Sequence, residues 1–158
     1  MRGRRSLRLR RRHGRKARRR ADRRPFGGAA RPWPSRVAGV SIDVWRKPED
    51  IPSGLVGTAV TIGVFDGVHK GHRAVLRETV RQAKERGLVS VALTFDPHPA
   101  SVHSAQNVHL VSTLEDRIDR LAAAGIDAVY VQRYTLDYAR ATPREFFENQ
   151  LVGELRAR

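Results

Sequence analysis

At 158 residues the chain has room for one domain of ordinary size, and its 40% apolar content is enough to bury a core. It has no cysteine, which excludes disulfides, thiol nucleophiles and Cys-ligated zinc, and no apolar run approaches the roughly 20 residues of a membrane span. The formal net charge of +15 points to a polyanion binder only until it is placed: residues 1–24 hold fourteen of the 31 basic residues and one acid, Asp22, leaving seventeen basic and fifteen acidic residues for the rest.

Residues 1–24 show no apolar periodicity, and Leu7 and Leu9 alone cannot offset the entropy of ordering them. Residues 25–39 turn to Gly, Ala and Pro, including Arg31-Pro32-Trp33-Pro34, as a linker does. Residues 1–39 therefore read as a disordered Arg-rich extension and linker, and residues 40–158 as the folding unit. The start lacks the apolar core of a secretory signal, and with the missing cysteines this fits a cytoplasmic protein, the expected location.

Residues 59–64 are a short apolar run ending in glycine, the pattern of a buried strand. A helix is expected over 71–86, with Leu76, Val80 and Ala83 on its inner face and Val75 beside them, Arg77, Arg81 and Glu85 outward, and Gly87 as its stop. Residues 88–95 form the next strand, and a long loop runs from Asp96 to Val111. A second helix should open at Ser112, capped by that hydroxyl with Glu115 closing a capping box, and carry Leu114, Ile118 and Leu121 inward before Gly125. Residues 128–131 give a third strand. Thr142-Pro143-Arg144-Glu145 is another cap, for a helix carrying Phe146, Phe147 and Leu151. Strands alternating with helices imply a parallel sheet covered on both faces, with ligands bound beyond the carboxyl ends of the strands.

The loop after the first of these strands reads Gly63-Val64-Phe65-Asp66-Gly67-Val68-His69-Lys70-Gly71-His72. Two imidazoles three apart straddle a glycine where the chain turns into a helix. A helix N-terminus offers unpaired N–H groups and partial positive charge, which favour phosphate. Gly71 lets phosphates approach the backbone, while His69 and His72 add directed donors. Phosphoryl-type transfer needs such positioning and charge stabilisation.

This stretch resembles the HxGH signature of the nucleotidyltransferase superfamily, and in the form GVFDGVHKGH it is similar to that of the bacterial bifunctional riboflavin kinase/FMN adenylyltransferases, the FAD synthetases. Leu93-Thr94-Phe95-Asp96-Pro97-His98-Pro99 resembles a second segment of the same family, and 114–127, 134–139 and 142–147 match in order. The resemblance implies a three-layer, Rossmann-like nucleotidyltransferase fold with a parallel sheet, incomplete at its C-terminus. It implies transfer of AMP from ATP to FMN, giving FAD and pyrophosphate, with Mg²⁺ accompanying ATP. His69 and His72 would contact the ATP phosphates as catalytic residues, and Gly63, Val64, Phe65, Asp66, Gly67 and Gly71 would form the nucleotide pocket. Phe95, Asp96, Pro97 and His98 would close over the nucleotide and flavin phosphates.

His103 and His109 lie in the long loop without a paired ligand motif and are expected to be solvated rather than metal-bound. Family segments beyond Arg158 are expected in the native enzyme, with residues 1–158 alone a poor catalyst. Two rival readings stand beside this one: another HxGH-type nucleotidyltransferase, or a non-catalytic nucleotide- or nucleic-acid-binding fragment. The tail, residues 2–24, could hold nucleic acid only non-specifically and with steep salt dependence. Twenty-seven of the 31 basic residues are arginine, a composition that GC-rich codons favour. The expected translation start therefore lies near Val40.

Overall fold

The computed structural model describes residues 42–104 and 108–158. The expectations for the Arg-rich tail, the linker and a start near Val40 fall outside the described residues.

Four strands, β1 (Asp43–Trp45), β2 (Thr58–Ile62), β3 (Val89–Asp96) and β4 (Ala128–Arg133), form one sheet. Its order is β1-β4-β3-β2 and every pairing is parallel. The helices are α1 (Lys70–Arg86), α2 (Pro99–His103), α3 (Leu114–Ala123) and α4 (Pro143–Glu145), which continues as a π-helix over Phe146–Glu154. The α/β fold with a parallel sheet is the expected one. The expected strands and helices appear with boundaries moved by a few residues, and β1 is an addition at the sheet's edge.

Alternation along β3 and β4 divides the core into two layers. Ala92, Val129 and Val131 pack with Leu76 of α1 and with Ile118, Leu121 and Ala122 of α3. Val91, Leu93, Ala128 and Tyr130 face the other way, onto Trp45, Leu55 and Leu155, with Phe146 and Leu151 against them. Helices thus cover both faces. β3 is buried along nearly its whole length, as a central parallel strand must be.

Local signals explain most element ends. Gly87, at φ 66°, stops α1 in the left-handed conformation, and Gly125 follows α3 at φ 90°. Thr142 and Glu145 close both bonds of a capping box.

Three details differ from expectation. Helix α3 is capped by Thr113, whose hydroxyl accepts from the Asp116 N–H at 3.1 Å, not by Ser112, whose side chain serves the neighbouring loop. Val75 is exposed rather than aligned with the apolar face of α1, because the sheet stops at β2 and leaves that flank of the helix uncovered. In the last helix the π winding keeps Phe146 and Leu151 on the core but turns Phe147 outward. At β2's free edge, Thr58 donates to the Arg156 carbonyl and accepts from the Arg158 N–H, both at 3.0 Å.

Candidate active site

Parallel register brings the carboxyl ends of the strands to one edge of the sheet. Ile62 is opposite Leu93, and Leu93 is opposite Tyr130, so the loops after β2 and β3 emerge side by side. This is where such sheets bind ligands.

The loop after β2 is backbone-strained. Phe65, Gly67 and Val68 have φ of 55°, 67° and 40°, and the last is costly for a β-branched residue. What holds the strain in place is Asp66. Its carboxylate accepts from the Val111 N–H at 2.9 Å, the Ser112 N–H at 2.8 Å and the Ser112 hydroxyl at 2.7 Å. The Ser112 oxygen in turn accepts from the Gly67 N–H at 3.0 Å. A side chain at Gly67 would meet Val111 at 3.1 Å as well as a left-handed backbone. Burial alone would raise the Asp66 pKa. The bonds from Val111 and Ser112, with the Arg117 charge, outweigh it and bring the carboxyl below its ordinary 3.8. The stabilising contribution is therefore present above that ordinary value and lost as pH falls through the lowered folded one. Asp66→Asn is expected to cost about 1 kcal/mol at neutral pH, discounted from the usual range because the carboxylate is partly solvated. The gap between the melting curves of the two proteins should narrow once pH falls below 3.8 and close when the folded carboxyl is protonated.

His69 and His72 come together where this loop enters α1. His69 is the N-cap residue, its Nδ1 accepting from the His72 N–H at 3.3 Å. That assignment leaves Nε2 as the donor of a neutral His69 ring. The two rings stack with centroids 3.6 Å apart and planes 20° apart. Phe65 meets His72 edge-on at 5.3 Å from the core side. The His72 Nδ1 is buried without a partner. Burial first, and the neighbouring His69 second, lower the His72 pKa against a smaller opposing pull from Asp66, so the resting ring is largely neutral at pH 7. A side chain at Gly71 would come within 3.2 Å of the His69 ring, so glycine is required for the stacking as well as for access to the helix N-terminus.

The remaining candidates are placed as follows. Gly63 and Val64 link β2 to the loop, and Gly63 lies against the Phe65 ring, which would come 3.0 Å from an added Cβ. Phe65 is 2% exposed and belongs to the core; it supports His72 from below. Phe95 and Asp96 end β3, and the Asp96–Pro97 peptide is cis. His98 caps the five-residue α2 through its Nδ1, which accepts from the Ala100 N–H at 3.0 Å. The long loop expected over 96–111 thus contains a short helix. His103 lies on that helix, exposed, with its Nε2 2.9 Å from the Tyr134 hydroxyl. His109 is also exposed. Among the described residues no group of three or more His, Asp or Glu side chains could hold a metal ion, and no helix is long and apolar enough to cross a membrane.

Sequence reading missed Ser112 and Arg117. Ser112 precedes a second hydroxyl residue, so the cap could be placed one position early. Arg117 shares a helical face with Leu114, Ile118 and Leu121, and a cation on an apolar face is itself a signal.

A strained, glycine-bearing loop leading into a helix N-terminus beneath the ends of a parallel sheet is an arrangement with which α/β proteins bind phosphate. The model of the FAD synthetase family matches residues 52–158, and the chain belongs to that family. A bifunctional riboflavin kinase/FMN adenylyltransferase of Listeria monocytogenes is 38% identical over 100 residues, covering 62% of this chain and 32% of that protein. A putative protein of the same description from Geobacillus thermodenitrificans is 41% identical over 54% of this chain and 46% of its own. The Escherichia coli K12 enzyme of that name is 32% identical over 65% of this chain and 33% of its own. The chain thus spans about a third to a half of the length of these relatives. A solved structure described as a macrolide-efflux protein from Streptococcus pneumoniae superimposes with a TM-score of 0.58 at 24% identity, over 72% of this chain and 38% of that one, which supports the fold.

Proposed function

We propose that this chain carries the adenylyl-transfer site of an FMN adenylyltransferase. A phosphate oxygen of FMN attacks the α-phosphorus of ATP in line. The bond from that phosphorus to the β-bridging oxygen breaks, its electron pair leaves on pyrophosphate, and FAD forms. The observation that carries this reading is the stacked His69–His72 pair at the N-terminus of α1. Partial positive charge at that terminus, and the ring nitrogens not engaged by the protein, suit a triphosphate. A bound triphosphate favours protonation of His72, so the ring would gain charge as the substrate docks. Charge developing on the non-bridging oxygens would then be met by fixed donors, with no covalent enzyme intermediate.

In this reading Gly71 leaves the N-terminus of α1 open to phosphate, Gly63, Val64 and Gly67 shape the loop bordering the nucleotide, and Phe65 and Asp66 hold that shape. Phe95, Asp96, Pro97 and His98 border the acceptor side, one strand away. The described side chains build no cage for a free metal ion. Mg²⁺ fits as the counter-ion of ATP, held by phosphates and water as part of the substrate. FMN and ATP are cytoplasmic small molecules, and we place the protein there.

Calorimetric titration tests the site. ATP is expected to bind, inorganic pyrophosphate to compete with it, and adenosine alone to bind far more weakly. Equal affinity for ATP and adenosine would remove phosphate recognition from the reading.

A further inference from the structure

Beyond its field on Asp66, Arg117 has no role in the site described above, and its surroundings are unusual. It lies on α3 at 2% exposure, between residues that pack into the core. Buried guanidinium groups are ordinarily paired with a carboxylate, because desolvating a lone cation is costly. Among the described residues no carboxylate oxygen lies within ion-pair distance of it. Its Nη1 donates instead to two neutral acceptors, the Phe95 carbonyl at 3.0 Å and the Thr94 hydroxyl oxygen at 3.3 Å. Its Nε is buried with no partner.

Those acceptors are the two loops' own anchors. The Thr94 hydroxyl donates to the Val64 carbonyl at 2.9 Å, so one guanidinium is joined through a single oxygen to the loop after β2. Through Phe95 it holds the end of β3, just before Asp96, Pro97 and His98. Asp66 and Asp96 are the acidic groups whose fields reach it, and Asp66 is already occupied by Val111 and Ser112. The positive charge behind the strand ends is therefore only partly compensated, in surroundings where fields reach further than in water.

We propose that Arg117 is a positioning residue for this site, tying the His69–His72 phosphate loop to the Asp96–His98 loop and supplying a buried positive charge that a phosphate chain completes. The proposal rests on the phosphate-binding reading above. Lysine can keep the charge and one of the two bonds. Methionine fills similar space with neither, and glutamine keeps a donor without the charge.

The test is binding of inorganic pyrophosphate to the whole chain, by calorimetry, with thermal midpoints measured alongside. Arg117→Met and Arg117→Gln are expected to weaken pyrophosphate binding about ten-fold, and Arg117→Lys less than three-fold, with all folded variants melting within a few degrees of one another. If Arg117→Met fails to fold, the glutamine and lysine pair carries the same comparison. Wild-type affinity in Arg117→Gln, or equal loss in Arg117→Lys and Arg117→Gln, overturns the proposal while leaving the phosphate site standing. A wild-type chain that binds no pyrophosphate overturns both.

Discussion

Replacing His69 and His72 together by alanine is expected to weaken ATP binding about 100-fold or more while leaving the fold in place. Hydrogen bonds to charged groups contribute roughly 1.5–3 kcal/mol each, and two of them removed from one phosphate chain give at least that factor. The structural cost is small, because neither ring belongs to the core. His69 is exposed, and His72 is only half-buried. The loss that does fall on stability is the N-cap bond from the His69 ring to the His72 N–H, worth about 1 kcal/mol. Calorimetry with ATP, and a melting curve for each variant, separate the two effects. Unchanged affinity in the double variant would remove both histidines from the site.

Phe65→Ala is expected to have the opposite profile, with its largest effect on stability. The ring is almost fully enclosed in the layer built by Leu76, Ile118, Leu121 and Val129, lies against Gly63 and supports His72. Truncating a buried phenylalanine costs about 3–5 kcal/mol, which for a domain of this size lowers the thermal midpoint by on the order of 10–20 °C. Nucleotide affinity should fall as a consequence, since the left-handed conformation at Phe65 and the placement of His72 both depend on that ring. A midpoint within 3 °C of wild type would show that the loop is held by Asp66 alone.

The contrast between these residues marks what was legible in the sequence. The alternation of buried runs and capped helices was enough for the parallel sheet, because its central strands are hydrophobic on both faces and α1 and α3 each carry an apolar stripe. The histidine pair was legible for the same reason: HxGH falls where a strand gives way to a helix, and geometry does the rest. Side-chain direction inside the loop was not. Phe65 and Asp66 are neighbours in a motif, yet the left-handed backbone between β2 and α1 sends one into the core and the other across to Ser112, 46 positions away. Ser112 was misplaced because Ser112 and Thr113 are equally good caps, and only the tertiary demand of Asp66 decides between them. Phe147 follows the helical stripe on paper and leaves it in the folded chain, since π winding advances the helix by a different angle per residue than 3.6 implies.

The central claim is that this loop moves AMP rather than merely holding a nucleotide. A single-turnover reaction with the protein in excess over ATP labelled at the α-phosphate, in the presence of FMN and Mg²⁺, detects even slow transfer. The account predicts that label appears in FAD with release of unlabelled pyrophosphate, and that the His69→Ala/His72→Ala variant gives none. Label confined to ATP or AMP, or FAD formed equally by the double variant, would contradict it.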